Sequence, residues 1–346
     1  MRVLLETTKN TSLPSQAEDY DDLVSSTVTQ IGQWYVDRST TTQDFWDSLS
    51  GRAFATNYTS GMGYVIRLAD GSFIVVDGGY GTETHVDNLY NVLVEQSENR
   101  DIVIAAWIFT HAHNDHADAF KVFTNKYHTK VTVESFIYNF PTEKAAAVCD
   151  DSPNLDQITE AMAIYPEAKT VIAHAGQVHY IRNAVVNILY TYDMMMPYKM
   201  VDYNATSVVF NVQIEGSTIL FLGDAGGESD NVDGELTHIA KFYNNSKTVL
   251  GANIVQVAHH GIDKHSKVAK FYNIIMNDVD YALIPVAHDY IKIGEDTYIK
   301  INERSACSTL TGVDKYIAGY SVTVLTLNDG SVTPKPYTDV STYVNS

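Results

Sequence analysis

Cysteine is nearly missing from this chain of 346 residues. Its two copies, Cys149 and Cys307, stand alone rather than in a CxxC pair, which argues against a disulfide framework and against thiolate ligation of a metal. Positive charge is scarce as well. Lysine and arginine number 23 against 42 acidic residues, for a net charge of −19, and nowhere do they gather into a stripe. A protein that grips long nucleic acid or an anionic membrane surface carries such a stripe. Neither is expected as a partner here, and a small molecule is the expected substrate. No apolar run approaches the roughly 20 residues of a membrane-spanning helix. The start, Met1-Arg2-Val3-Leu4-Leu5-Glu6, holds too short an apolar stretch for a secretion signal. Cytoplasmic residence is therefore the expectation, for a chain that has not already shed a leader. The remaining composition, 45% hydrophobic and 19% charged, is that of an ordinary globular protein.

What the chain does have is a concentration of histidine at one place. Thr110-His111-Ala112-His113-Asn114-Asp115-His116 follows an apolar run, Ile102 to Phe109, and precedes a helix-like stretch, Ala117 to Tyr127. A strand ending near Thr110 leaves His111 and His113 two apart on extended backbone, pointing to one side, while Asp115 and His116 turn back from the start of the helix. Four imidazole or carboxylate donors within six residues read as a metal site. The plainer alternative is a solvated His-rich loop.

The order of elements around it repeats. Gly63 to Leu68, a turn at Ala69-Asp70-Gly71-Ser72, and Phe73 to Val76 form a hairpin that runs into Asp77-Gly78-Gly79. A helix pattern follows (Thr84 to Gln96), then the apolar strand and the His motif. Further on, Ser207 to Ile214, a turn at Glu215-Gly216-Ser217, and Thr218 to Leu222 run into Gly223-Asp224. A helix (Glu235 to Tyr243) and a short apolar strand (Ile254 to Ala258) lead to His259-His260-Gly261. Between the halves, Val131 to Phe140 and Val185 to Thr191 read as strands and Pro153 to Tyr165 as a helix. A helix (Lys267 to Met276), a strand toward Val286 and His288, and the strand Ser321 to Leu327 complete the pattern. Phe120, Phe123 and Tyr127 mark a core-facing helix stripe. Residues 1–50 are read as a first strand (Val28 to Val36) with surface loops and 328–346 as a polar tail, giving a single domain over 1–346. Strand hairpins alternating with helices in two halves predict an α/β (α+β) fold of two facing sheets with helices outside.

These residues resemble the metallo-β-lactamase superfamily, whose four-layer αββα sandwich of two mixed sheets holds one or two metals at the edge where its halves meet. The HxHxDH signature matches His111, His113, Asp115 and His116. The resemblance implies that Asp77 supports the site from beneath, that Asp224 bridges two metals, and that His260, rather than His259, is the terminal ligand, with His259 facing substrate or supporting the site. Leu222-Gly223-Asp224-Ala225 followed by Val257-Ala258-His259-His260-Gly261 is most similar to the metallohydrolase domain of bacterial competence (DNA-uptake channel) proteins and its stand-alone relatives. One family histidine, about twenty residues before the bridging aspartate, is replaced here by Tyr203-Asn204-Ala205-Thr206-Ser207. Asn204 is a candidate oxygen donor in its place, and His174 or His179 could reach the site from the preceding segment. His288 is a candidate substrate contact.

Imidazoles and carboxylates without thiolate suit Zn²⁺, and also Mn²⁺ or Fe²⁺. His111 and His113 would hold one ion, Asp115, His116 and one of His259 and His260 the other, with Asp224 between them. Water activated by the pair would be the nucleophile, with Asp115 orienting it. The family's di-iron oxidoreductases carry a Glu where this chain has His113, which favours hydrolysis. Two cations about 3.5–4 Å apart clamp a phosphoryl group well, so a small phosphoester or phosphodiester is the first substrate class expected. An ester, thioester or lactone is the alternative, and a metal-binding module without turnover is the rival from another class.

Overall fold

In chain order the first half supplies strands β1 (Ser26–Gln30), β2 (Gly63–Arg67), β3 (Phe73–Asp77), β4 (Ile102–Ile108), β5 (Val131–Val133), β6 (Ser135–Tyr138) and β7 (Lys169–Ile172). The second half supplies β8 (Val178–Ile181), β9 (Ala184–Tyr190), β10 (Val209–Ile214), β11 (Ser217–Phe221), β12 (Glu228–Ser229), β13 (Val232–Asp233), β14 (Ile254–Gln256), β15 (Tyr281–Ile284), β16 (Tyr290–Lys292), β17 (Tyr298–Lys300), β18 (Asp314–Ile317), β19 (Val322–Asn328) and β20 (Ser331–Tyr337). The helices are α1 (Glu83–Ser97), α2 (Asn114–Tyr127), α3 (Leu155–Met162), α4 (Glu235–Phe242), α5 (Lys247–Leu250), α6 (Val268–Ile275) and α7 (Ser305–Ser308). This computed structural model describes residues 23–31, 61–142, 155–195, 203–229, 232–261, 268–275, 278–286, 290–292, 298–300, 305–318 and 322–337.

The two hairpins form where turn chemistry and alternation agree. Between β2 and β3, Asp70 Oδ1 accepts from the Ser72 N–H (2.9 Å) and hydroxyl (2.6 Å), and Gly71 takes φ +84°. Between β10 and β11, Glu215 and Gly216 both lie at positive φ, 48° and 71°, the two-residue turn that matches strand twist. Each inner strand is apolar on both faces because both faces are covered. Along β3, Phe73 and Val75 pack toward helices while Ile74 and Val76 pack between the sheets. Along β11, Leu220 points to helices and Ile219 and Phe221 point between the sheets. Burial of each such side chain stabilises the fold by about 1.5–3 kcal/mol.

The larger sheet has strand order β20-β19-β1-β2-β3-β4-β6-β7, with β5 also paired to β4; the smaller runs β18-β15-β14-β11-β10-β9-β8. Both are mixed, and both follow one plan. The antiparallel pair β2–β3 continues through a crossover into parallel β4, and the antiparallel pair β10–β11 continues into parallel β14. Three cores separate the layers. One, built on Val65, Phe73, Trp107, Phe120 and Phe123, lies between the larger sheet and its helices. A second, with Phe210, Phe221, Tyr64 and Ile254, fills the space between the sheets, and a third, with Leu220, Leu236, Phe271 and Leu310, lies under the helices of the smaller sheet. The result is the four-layer αββα sandwich. Trp107 packs edge-on against Phe120 (4.8 Å) and Phe123 (5.3 Å), which puts the expected stripe of α2 in the core; Tyr127 stacks on Tyr90 instead, 3.8 Å away.

The stretch read as a polar tail differs from that expectation: Ser331–Tyr337 is β20, paired antiparallel with β19. Pro334 and Pro336 fit there because β20 is the sheet's edge strand. The first strand occupies Ser26–Gln30, while residues 32–36 of the expected run lie outside the described residues, as do Cys149 and His288. Cys307 is buried and forms no disulfide among the described residues. Among the described residues, no helix is long and apolar enough to cross a membrane. Away from the ends of β3 and β11, Arg182 in the β8–β9 turn ties the smaller sheet to the larger, with Nε 2.7 Å from Asp70 Oδ2 and Nη2 2.8 Å from Glu134 Oε1.

Candidate metal centre

Asp77 stands at the end of β3 and Asp224 three residues past the end of β11, at the same edge of the sandwich, outside the carboxyl ends of parallel strands where α/β sheets form their crevices. Asp77 ends β3 at φ +53°, fully buried. Its Oδ1 accepts from the Thr110 N–H (2.8 Å) and its Oδ2 from the Thr110 hydroxyl (2.7 Å) and from His116 Nδ1 (2.8 Å). That last bond leaves His116 Nε2 directed away from Asp77, toward Asp224. Trp107 Nε1 donates to the Asp77 carbonyl (2.7 Å), and Gly79 N–H donates to the His116 carbonyl (3.1 Å). The turn after β3 is thereby fastened to the first turn of α2.

Asp224 is placed by the other sheet. Gly223 before it sits at φ +55°, where a Cβ would come within 2.9 Å of Ser207 Cβ and 3.0 Å of Thr110 Cβ, so glycine lets the two sheets meet there. The Ser207 hydroxyl accepts from Asp224 N–H (3.0 Å). Buried Gln256 accepts from Leu222 and Gly223 N–H (2.7 and 2.8 Å) and donates to the Gly223 carbonyl (3.1 Å). His259, His260 and Gly261 then form a turn of three residues at positive φ. The Pro285 carbonyl accepts from His260 Nδ1, which leaves Nε2 facing inward.

Asp115, His116, Asp224 and His260 converge, each offering one donor atom, all within 4.8 Å of one another. Asp224 Oδ2 is 3.3 Å from His116 Nε2 and 3.4 Å from His260 Nε2, and Asp115 Oδ2 is 3.1 Å from His260 Nε2. His111 Nε2 is 4.0 Å from Asp224 Oδ2 and 3.0 Å from His113 Nδ1. His259 Nε2 lies 4.0 Å from Asp224 Oδ2 with its side chain 20% exposed, on the solvent side of the cluster. A divalent ion fits this set. His116 Nε2, His260 Nε2 and Asp224 Oδ1 are buried and make no hydrogen bond, an arrangement that is costly unless a cation takes the lone pairs.

Burial, helped by the charge on His116, holds His111 well below its usual pKa, so it is a neutral imidazole. Burial alone would do likewise to His116 and His260, but carboxylates outweigh it. Asp224, Asp115 and Asp77 hold His116 well above its ordinary range, and Asp224 and Asp115 push His260 up to about 10. In return, His116 and His260 overcome burial and hold Asp115 and Asp224 well below the carboxylate range. Without an ion, protons on these imidazoles balance the two carboxylates. Burial and then Asp115, Asp118 and Asp224 raise the Tyr80 phenol far above its ordinary value, so it remains a hydrogen-bond donor at the rim.

Of the other sequence candidates, His174 pairs with Asp193 (2.7 Å) and His179 lies buried on β8 opposite Val186; neither belongs to the donor group. Asn204 sits in the turn Tyr203–Thr206, where its carbonyl accepts from Ser207 N–H (3.0 Å). Sequence reading passed over Thr110, Ser207, Tyr203 and Gln256. Only Gln256 carried a signal, an amide in the middle of the apolar run Ile254 to Ala258.

The family model described as "Metallo-beta-lactamase superfamily" matches residues 59–269, more than half of the chain. Among solved structures, the metallo-beta-lactamase fold protein YhfI from Bacillus subtilis is similar over 90% of this chain and 100% of its own, at 10% identity and a TM-score of 0.47. A metal-dependent hydrolase of the beta-lactamase superfamily is similar over 90% and 99%, at 8% identity and a TM-score of 0.46. Zn²⁺-bound PqqB from Methylobacterium extorquens is similar over 66% and 71%, at 10% identity and a TM-score of 0.40. No curated protein matches the chain.

Proposed function

The chain belongs to the metallo-beta-lactamase superfamily and is a metal-dependent hydrolase; from that premise we propose that its substrate is a small phosphoester or phosphodiester. The observation that supports the reading is the donor set itself: two carboxylates and two imidazoles within 4.8 Å, flanked by His111 and His113, all nitrogen and oxygen, at one edge of the sandwich. Such a set suits Zn²⁺, with Mn²⁺ or Fe²⁺ as further candidates. A divalent ion held there supplies Lewis-acid polarisation of the substrate and brings the pKa of water near neutrality. The protein's own residues do the rest. Asp77 fixes the ring of His116, and the Pro285 carbonyl fixes that of His260. Asp115, 19% exposed at its side chain, is the carboxylate placed to orient a water by accepting its hydrogen bond. Tyr80, kept protonated, can donate to a substrate oxygen at the rim. The likeness of Leu222 to Ala225 and Val257 to Gly261 to competence-type hydrolases belongs to this reading.

The net charge of −19 favours a second reading, hydrolysis of a neutral ester, thioester or lactone on the same residues. One experiment separates the two: metal analysis of gently purified protein, with turnover of bis(p-nitrophenyl) phosphate and of p-nitrophenyl acetate. Phosphodiester turnover abolished by Asp115→Ala is the expected result. Ester turnover alone would replace the first reading with the second. Stoichiometric metal without turnover of either would mark a metal-binding module, and protein without metal would sink both.

A further inference from the structure

The donors around Asp224 are not evenly divided. On one side Asp115, His116 and His260 stand with Asp224 itself, two carboxylates and two imidazoles within 4.8 Å. On the other side, among the described residues, His111 Nε2 lies 3.0 Å from His113 Nδ1 and 4.0 Å from Asp224 Oδ2, and neither imidazole belongs to the group of four. The two nitrogens are hydrogen-bonded to each other, a bond that an incoming ion must displace. His113 is half-buried and sits at the very start of α2, with no side-chain bond to cap the helix.

The element that closes this corner offers no further imidazole or carboxylate. Val208 N–H donates to the Thr110 carbonyl (2.8 Å) and the Thr206 hydroxyl to the Tyr203 carbonyl (2.8 Å), so the turn Tyr203–Thr206 is docked beside the His motif. It presents a ring: the centroid of buried Tyr203 lies 5.1 Å from that of His113, tilted by 38°, and 6.4 Å from that of His111. A phenol and the Asn204 amide are weaker donors than an imidazole or a carboxylate.

Resting on the hydrolase reading, we propose that the centre is graded: Asp115, His116, His260 and Asp224 keep one ion resident, and His111 and His113, under Tyr203, take a second that exchanges freely. The dinuclear state then forms only when free metal is plentiful, and Tyr203 sets how plentiful it must be.

The test is to load the purified chain with Zn²⁺, dialyse it against a weak competing chelator, count retained metal by mass spectrometry, and titrate Zn²⁺ back by calorimetry. The wild-type chain should retain one ion and bind a second about tenfold or more weakly. His113→Ala should keep the retained ion and lose the weak step, Asp115→Asn should lose the retained ion, and Tyr203→His should draw the second affinity toward the first. Two ions retained with like affinity would overturn the proposal, and so would loss of the retained ion in His113→Ala. A chain that retains no ion and takes none up would overturn it together with the hydrolase reading, a failure distinct from the other two. Circular dichroism shows whether each variant folds, and the wild-type titration decides the grading even if Asp115→Asn does not.

Discussion

At the scale of single residues, the centre depends on groups that never touch the metal. Asp77 satisfies three donors at once, Thr110 N–H, Thr110 hydroxyl and His116 Nδ1. Asp77→Ala should lower metal affinity by about 10–100-fold, because the His116 ring loses its anchor; a chelator competition titration checks it, and unchanged affinity would show that His116 is held by packing alone. Gly223→Ala should destabilise the fold by about 1–3 kcal/mol, since the added Cβ meets Ser207 and Thr110 and the residue must keep φ +55°. A urea melt reads that cost, and a midpoint equal to wild type would mean that the junction yields. Local spacing made the His motif legible in the sequence, since His111, His113, Asp115 and His116 lie within six residues. Thr110, Ser207 and Tyr203 were not legible, because their roles are defined by partners far away in the chain.

At the scale of elements, the two hairpins could be read because turn residues and alternating apolar positions agree. The edges could not. β7 is a short, largely exposed strand without an apolar alternation, and β20 carries two prolines that argue against a strand anywhere but at an edge. Gln256 in β14 shows how one polar group can serve a whole junction. Gln256→Leu leaves the buried N–H groups of Leu222 and Gly223 without an acceptor, at about 1–3 kcal/mol for each group left unsatisfied. Both a lower denaturation midpoint and weaker metal retention are expected, because Asp224 follows directly; a midpoint shift without any change in metal retention would separate Asp224 from this brace.

At the scale of the whole molecule, the charge balance of the centre gives stability a pH dependence that metal removes. The pKa of His260 rises on folding from 6.5 to about 10, so its contribution is fully present below 6.5 and is lost as pH rises through 10. Asp115 and Asp224, lowered on folding, act in the opposite sense: their contribution is present above the ordinary carboxylate pKa of 3.8 and is lost as pH falls below it. Metal-stripped protein should therefore melt at progressively lower temperature from about pH 6.5 toward pH 10, and saturating Zn²⁺ should flatten that slope by replacing the protons on the imidazoles. Thermal melts with chelator and with Zn²⁺ at both ends of the window test this, and identical slopes would count against a proton-balanced centre.

The position of β1 has a consequence for the order of events in synthesis. Val28 pairs with Ile66 on one side and with Leu325 on the other, so in the larger sheet β1 must wait for a partner nearly three hundred residues further along the chain. Everything that builds the donor cluster, from Asp77 to Pro285, leaves the ribosome before Leu325 does. Until then β1 offers an open edge, free to pair with another nascent chain. Contacts across nearly three hundred residues make folding slow. The arrival of β19 thus decides how long β1 must be shielded in the growing chain, although β19 lies outside the site.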